Sequence, residues 1–186
     1  NKAEILEWAT SHRISVAPEM FEEPESSTTP LPTLVEALEE GGIYFRIEGK
    51  TRKEALTSVV QHMRLPNEVD PSYLLQVLIA RERLASTGIG GGIAIPRVRH
   101  PEILYIPNAT LTLCFLEEPV DFKALDGVPV RVLFTLIAPT QRAHLQTLSR
   151  LNFVLKDPEF KRVLTEEGGR EEIFTTLRKA EESLKS

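Results

Sequence analysis

Two stretches decide the fold: "NATLTLCFLE" (residues 108–117) and "VPVRVLFTLIA" (residues 128–138), joined across a turn at "LDGVP". Strict alternation of apolar and polar residues gives way in both to nearly continuous apolarity, the pattern of strands covered on two faces. Helices must therefore lie on both sides of them. Gly127 and Pro129 punctuate the connection as a short turn between strands should.

Working outward, the remaining chain supplies those helices. "PTLVEALEEGG" places Leu34, Val35 and Leu38 on one face, with Pro32 at the first turn and a glycine pair at the end. A short strand, "IYFRIEG", follows. "KTRKEALTSVVQHMRL" carries Ala55, Leu56, Val59, Val60 and Met63 at helical spacing and stops at Pro66. His62 falls beside that stripe with no ligand-type partner one turn away, so no chemistry is assigned to it. Asp70 caps "PSYLLQVLIARERLAS", whose buried face is Leu74, Leu75, Leu78 and Ile79, and Arg81 and Arg83 complement the dipole at its carboxyl end. Thr140 caps an amphipathic helix through Leu145, Leu148, Leu151 and Leu155, and Asp157-Pro158 opens the next. A last helix, "REEIFTTLRKAEESLK", follows Gly169. Helices mixed with strands in this order give an α/β architecture.

The first residues read differently. "NKAEILEWATSHRI" begins inside a helical pattern, with Ile5, Trp8 and Ala9 on one face, as the end of an upstream domain would. Residues 15–31 are rich in Pro, Glu, Ser and Thr and cannot bury enough apolar surface to order themselves. The reading is thus a terminal helix over 1–14, a linker over 15–31 and one folded domain over 32–186.

A chain of 186 residues that is 41% hydrophobic and 26% charged can bury one substantial core. Its net charge of −5 gives no basic face for a phosphate backbone, so nucleic acid is not this domain's expected partner. Cys114 is the one cysteine and lies in an apolar run, which predicts a buried thiol and suits a reducing, cytoplasmic compartment. No apolar run reaches the roughly 18 residues that a membrane span needs.

Between the helix ending near Arg83 and the first long strand stands "TGIGGGIAIPRVRH" (residues 87–100), with four glycines leading into a short apolar strand. It lacks the lysine and hydroxyl of a nucleotide phosphate loop and leads into a strand where such a loop leads into a helix. The histidines stand apart at 12, 62, 100 and 144, so neither a metal nor any other cofactor is expected. Spacing does not decide on a Ser-His-Asp triad, whose members assemble in space, but no nucleophile-elbow context is present.

"LIARERLASTGIGGGIAIP" (78–96), followed by "LTLCFLEEPVDFKALDGVPVRVLFTLIAPTQRAHLQTLSRL" (111–151), resembles the enzyme IIA domain of the bacterial phosphoenolpyruvate-dependent sugar phosphotransferase system, in its fructose, mannitol and nitrogen-regulatory class. The Arg-Glu helix end, the Ser-Thr-Gly-Ile-Gly turn, the Ala-Ile-Pro exit and the His-Leu helix start occur in the family's order. The resemblance implies a mixed β-sheet flanked by helices on both sides, and a histidine that accepts a phosphoryl group from the phosphocarrier HPr. In the family that histidine directly follows Ala-Ile-Pro; here Ala94-Ile95-Pro96 is followed by Arg97. A neutral imidazole offers a lone pair to phosphorus, whereas guanidinium has none and stays protonated.

By the same resemblance, Arg81 matches the arginine that steadies the phosphoryl group, and His144 matches the second site histidine. His144 lies in the first turn of its helix, where the dipole disfavours imidazolium. His100 is a candidate substitute acceptor, but three residues of extended chain put it about 10 Å from position 97. A second, shorter resemblance links "NKAEILEWA" to the last helix of excisionase-like, winged-helix DNA-binding domains, whose DNA-reading elements would lie upstream of Asn1.

Three expectations follow for function. The first is a regulatory IIA-like component that works through contacts with HPr or a regulated protein, its phosphoacceptor lost. The second is a phosphocarrier with a displaced histidine. The third is an anion sensor in which Arg97 turns the acceptor site into a phosphate receptor.

Overall fold

The computed structural model describes residues 31–185. The helix expected over 1–14, and all of the linker expected over 15–31 save its last residue, lie outside the described residues. The described strands are β1 (Ile43–Ile47), β2 (Gly88–Gly90), β3 (Ile93–Ala94), β4 (Thr110–Val120) and β5 (Val130–Ile137). They form a single sheet in the order β1-β4-β5-β3-β2. β4 and β5 are antiparallel at its centre, from Thr110 opposite Ile137 to Phe115 opposite Val132. β1 runs parallel to β4 and β3 parallel to β5, so the sheet is mixed, as the resemblance implied.

Period two on the central strands explains their continuous apolarity. Leu111, Leu113, Phe115, Phe134 and Leu136 join one buried cluster, while Cys114, Leu116, Leu133 and Ile137 join the other. The first cluster packs against α1 (Leu34–Gly41), α4 (Gln141–Val154), α5 (Pro158–Thr165) and α6 (Arg170–Glu182) through residues such as Leu38, Leu151, Phe160 and Ile173. The second packs against α2 (Arg52–His62) and α3 (Pro71–Leu84) through Val59, Leu74 and Leu78. Cys114 is fully buried, and burial pushes its thiol up to about 12, which leaves it unreactive.

Helix starts follow the cap residues. Asp70, Thr140 and Asp157 each accept a backbone N–H of the first turn, from Ser72, Ala143 and Phe160. α1 differs from its expected start, because Thr33 rather than Pro32 adjoins the first turn. Thr33 Oγ1 accepts from the Glu36 N–H while the Glu36 carboxylate accepts from the Thr33 N–H. The two remaining free N–H groups of α1, Leu34 and Val35, donate to Glu181 at the end of α6, at 2.5 and 3.3 Å. First and last helices are thereby tied.

Some apolar positions are less buried than periodicity suggested. Leu75 and Ile79 are only half-buried, and Leu145 is 53% exposed. Both sheet edges are short or broken: Arg46 adopts φ 56° where the register of β1 shifts, and β2 spans three residues. Among the described residues no helix is long and apolar enough to cross a membrane.

Candidate functional site

The glycine run builds the site's outer wall. It is a β-hairpin in its own right, where the sequence suggested a loop leading into a strand: β2 and β3 are antiparallel, with Gly88 opposite Ala94 and Gly90 opposite Ile93. Gly90, Gly91 and Gly92 take φ values of 98°, 66° and 82°, a left-handed run that side chains with a Cβ resist. Asp126, in the β4–β5 connection, accepts from the Gly91 N–H at 2.9 Å and fixes the tip.

β3 then delivers Arg97. The Leu136 N–H donates to the Pro96 carbonyl at 2.8 Å, and Arg97 bridges Leu136 in parallel register, extending the β3–β5 pairing past Ala94. Arg97 thus lies at the carboxyl end of two parallel strands, where open α/β sheets present their ligand crevices. β5 ends nearby, and Ala138, Pro139 and Thr140 lead from it into α4, the helix that bears His144.

Arg81 comes from the last turn of α3. Its Nη1 donates to the Ala85 carbonyl at 2.7 Å, so it caps its own helix as the dipole argument expected. Arg97 Nη1 likewise donates to a carbonyl of its own segment, Ile95, at 2.9 Å. Arg97 nonetheless feels the charge of Arg81. Burial first, then Arg81, holds Arg97 below the usual arginine range, and Glu82 opposes them.

His144 completes the group. The residue is 5% exposed, and its Nδ1 is buried without a hydrogen-bond partner among the described residues. Burial, then Arg97, then Arg81 push the imidazole from 6.5 down to about 4, while Glu102 pulls the other way. Desolvation and two neighbouring cations thus favour the neutral ring, causes that the sequence argument from the helix dipole did not contain.

His100 stands elsewhere. Its side chain is 61% exposed and faces Glu102, with 3.8 Å between Nδ1 and Oε1. Arg81 acts on Arg97 and both act on His144, while His100 faces Glu102.

One residue escaped the sequence reading. Glu82 is 3% exposed, and its two carboxylate oxygens accept from the Thr87 N–H at 2.8 Å and the Thr87 hydroxyl at 2.6 Å. It pins the end of α3 to the start of the hairpin and is the buried carboxylate that acts on Arg97. The signal available was its place between Arg81 and Arg83, where an acid lies on the face opposite the solvated arginines. Among the described residues no cluster of His, Cys, Asp or Glu could hold a metal ion.

Comparison with known proteins places this geometry. Residues 36–180 match the family described as "Phosphoenolpyruvate-dependent sugar phosphotransferase system, EIIA 2". The nitrogen regulatory protein of Pseudomonas aeruginosa is 35% identical over 126 residues, 66% of this chain and 79% of that protein. The crystal structure of nitrogen regulatory protein IIA-Ntr from Neisseria meningitidis superimposes with a TM-score of 0.62 at 28% identity, covering 73% of this chain and 92% of that one. Enzyme IIAMTL of Escherichia coli, solved in complex with phosphorylated enzyme IIBMTL, shares the fold with a TM-score of 0.58 at 21% identity, over 73% of this chain and 93% of that one. With residues 36–180 matched and the mixed α/β fold shared, the chain belongs to the EIIA type 2 family of the phosphoenolpyruvate-dependent sugar phosphotransferase system.

Proposed function

We propose that this domain is a regulatory EIIA-like component that acts through protein contacts and takes no stable phosphoryl group from HPr. The observation that carries the reading is Arg97, fixed at the end of β3 directly after Ala94-Ile95-Pro96. Its guanidinium has no lone pair for attack on phosphorus. Neither histidine nearby replaces it. His100 is turned to solvent and to Glu102, and His144 is too buried to meet a phosphohistidine presented on another protein's surface.

A surface for such contacts surrounds the site. Leu84 at the end of α3 is 61% exposed, and Ile89 on the hairpin and Leu125 in the neighbouring β4–β5 connection also face solvent. That connection packs on the hairpin: a Cβ on Gly88 would touch Ala124. An apolar rim around a charged centre suits a protein partner, either HPr or a regulated protein. The unit proposed to carry this role is the IIA-like domain over 32–186, most of which the family match covers. The setting proposed is the cytoplasm.

The test is phosphotransfer. The chain is incubated with enzyme I, HPr and phosphoenolpyruvate and followed by intact mass. The expected result is an unmodified chain beside fully labelled HPr. Stoichiometric labelling that maps to His100 or His144 overturns the reading and makes the domain a phosphocarrier with a displaced acceptor.

A further inference from the structure

The start of α2 contributes to two clefts of opposite charge. One, of about 280 Å³, is lined by Glu48, Glu54, Glu117 and Glu118, with Lys50 as its one cation. Ile47 lies opposite Leu116 where β1 pairs with β4, so Glu48 and Glu117 leave that register as neighbours, and like charges so placed repel. The other cleft, of about 240 Å³, is lined by Arg52, Lys53 and Arg83. Its one carboxylate, Glu82, is buried and spends both oxygens on Thr87. Among the described residues none of these charged groups has an ion pair. Asp121 lies within the field of Arg52 but is paired with Lys123 at 3.4 Å. The backbone between the clefts is firmly held. Thr51 Oγ1 accepts from the Glu54 N–H at 3.1 Å, the Glu54 carboxylate accepts from the Lys50 N–H at 3.0 Å, and a Cβ on Gly49 would come within 2.6 Å of the Ala55 nitrogen. The two sets of charge are therefore presented side by side in a fixed relation.

We propose that this face pairs two copies of the chain about a two-fold axis near Thr51, the acidic cleft of each copy receiving the basic cleft of the other. A two-fold contact needs a surface complementary to itself. Adjoining patches of opposite sign provide one, because rotation about an axis between them exchanges the patches and forms both contacts at once. Charge balance selects the occupant. An acidic partner would match Arg52, Lys53 and Arg83 but face the carboxylates, and a basic partner would do the reverse. A second copy satisfies both clefts, and it gives Glu48 and Glu117 cations to face in place of each other. The net charge of −5 opposes pairing at long range, so the association depends on the local match. It is a small, polar contact that salt weakens. It owes nothing to Arg97 and stands apart from the regulatory reading of that site.

Sedimentation equilibrium of the whole chain tests this. A reversible dimer is expected at about 0.05 M sodium chloride, with an association constant at least about tenfold lower at about 0.5 M. Two double reversals follow. Glu117→Lys with Glu118→Lys makes both clefts of one variant basic, and Arg52→Glu with Lys53→Glu makes both clefts of the other acidic. Each variant alone should associate at least about tenfold more weakly than the unsubstituted chain, since like charges then meet at both contacts. An equimolar mixture of the two should recover the dimer, because every reversed charge meets a reversed partner. The substituted positions are exposed or half-buried, and acids at the start of α2 suit the helix dipole, so both variants should fold, as circular dichroism will check. If one does not, Glu48→Lys and Arg83→Glu serve for the same exchange. A chain that stays monomeric at low salt, an association that the reversals leave in place, or a mixture no more associated than its parts overturns the proposal.

Discussion

The β4–β5 pair and the β2–β3 hairpin belong to one sheet and differ in almost every physical respect. The central pair is nearly all buried, feeds an apolar cluster on each face, and is held by a long antiparallel ladder. The hairpin has three residues facing two, a tip of left-handed glycines and an exposed Ile89. Burial is concentrated at the centre, and the proposed site lies beside the hairpin. Arg97, which follows the hairpin, is itself only half-buried, so a change of its side chain leaves the core residues Ile93, Ala94 and Ile95 in place.

That contrast breaks first at the centre. Phe134 is fully buried, with its ring 6.3 Å from that of Phe160. Phe134→Ala should cost about 3–5 kcal/mol in a urea titration. A loss below about 1 kcal/mol would mean the two-layer core does not carry the stability assigned to it.

At the site, acid is the next largest lever. His144 titrates near 6.5 when unfolded and is held down to about 4 when folded. The unfolded chain therefore takes the proton first, so stability is whole above pH 6.5 and falls as the pH drops toward 4, by up to roughly 3 kcal/mol. His144→Gln should flatten the slope between pH 6.5 and 5, where few carboxylates titrate. An unchanged slope would show that His144 is freely protonated in the folded state.

The hairpin tip should give less. A Cβ on Gly91 meets nothing within 4 Å, so Gly91→Ala carries only the strain of φ 66°, about 1–2 kcal/mol. At Gly41 the same added atom would run into the Leu111 carbonyl on β4, and the loss should be distinctly larger. Comparable melting points for the two variants would erase the difference between centre and edge.

Arg97→His should move stability least, within about 1 kcal/mol, since it removes a half-buried cation and leaves the backbone bridge to Leu136. Its effect is functional. Phosphoryl labelling from HPr should appear, because positioning supplies most phosphoryl-transfer catalysis and Arg81 and His144 are in place. A folded variant that stays unlabelled would show that the surroundings have drifted along with residue 97.

The sequence revealed the centre better than the edge, for a physical reason. Covered strands must be apolar at every position, and helix starts announce themselves through Asp70, Thr140 and Asp157, so local chemistry suffices for both. The hairpin was legible only as glycine because its pairing with Ile93 and Ala94 is a relation between segments. Glu82 was missed for the same reason: within its helix it is one acid between two arginines, and only Thr87 and the folded chain around it make it a buried group. Leu145 shows the converse error, an apolar residue at helical spacing that the fold leaves at the surface.

The carboxylate of Glu181, closing on the first two N–H groups of α1, has a topological consequence. It holds Leu34 and Val35, near one end of the described domain, against Glu181, near the other. A domain whose entry and exit coincide can be spliced into a longer polypeptide as a side loop, with no stretch of chain needed to span its diameter. Joining the two ends of the described domain and reopening the chain elsewhere, at the exposed Leu125 turn for example, would leave both apolar layers contiguous in space.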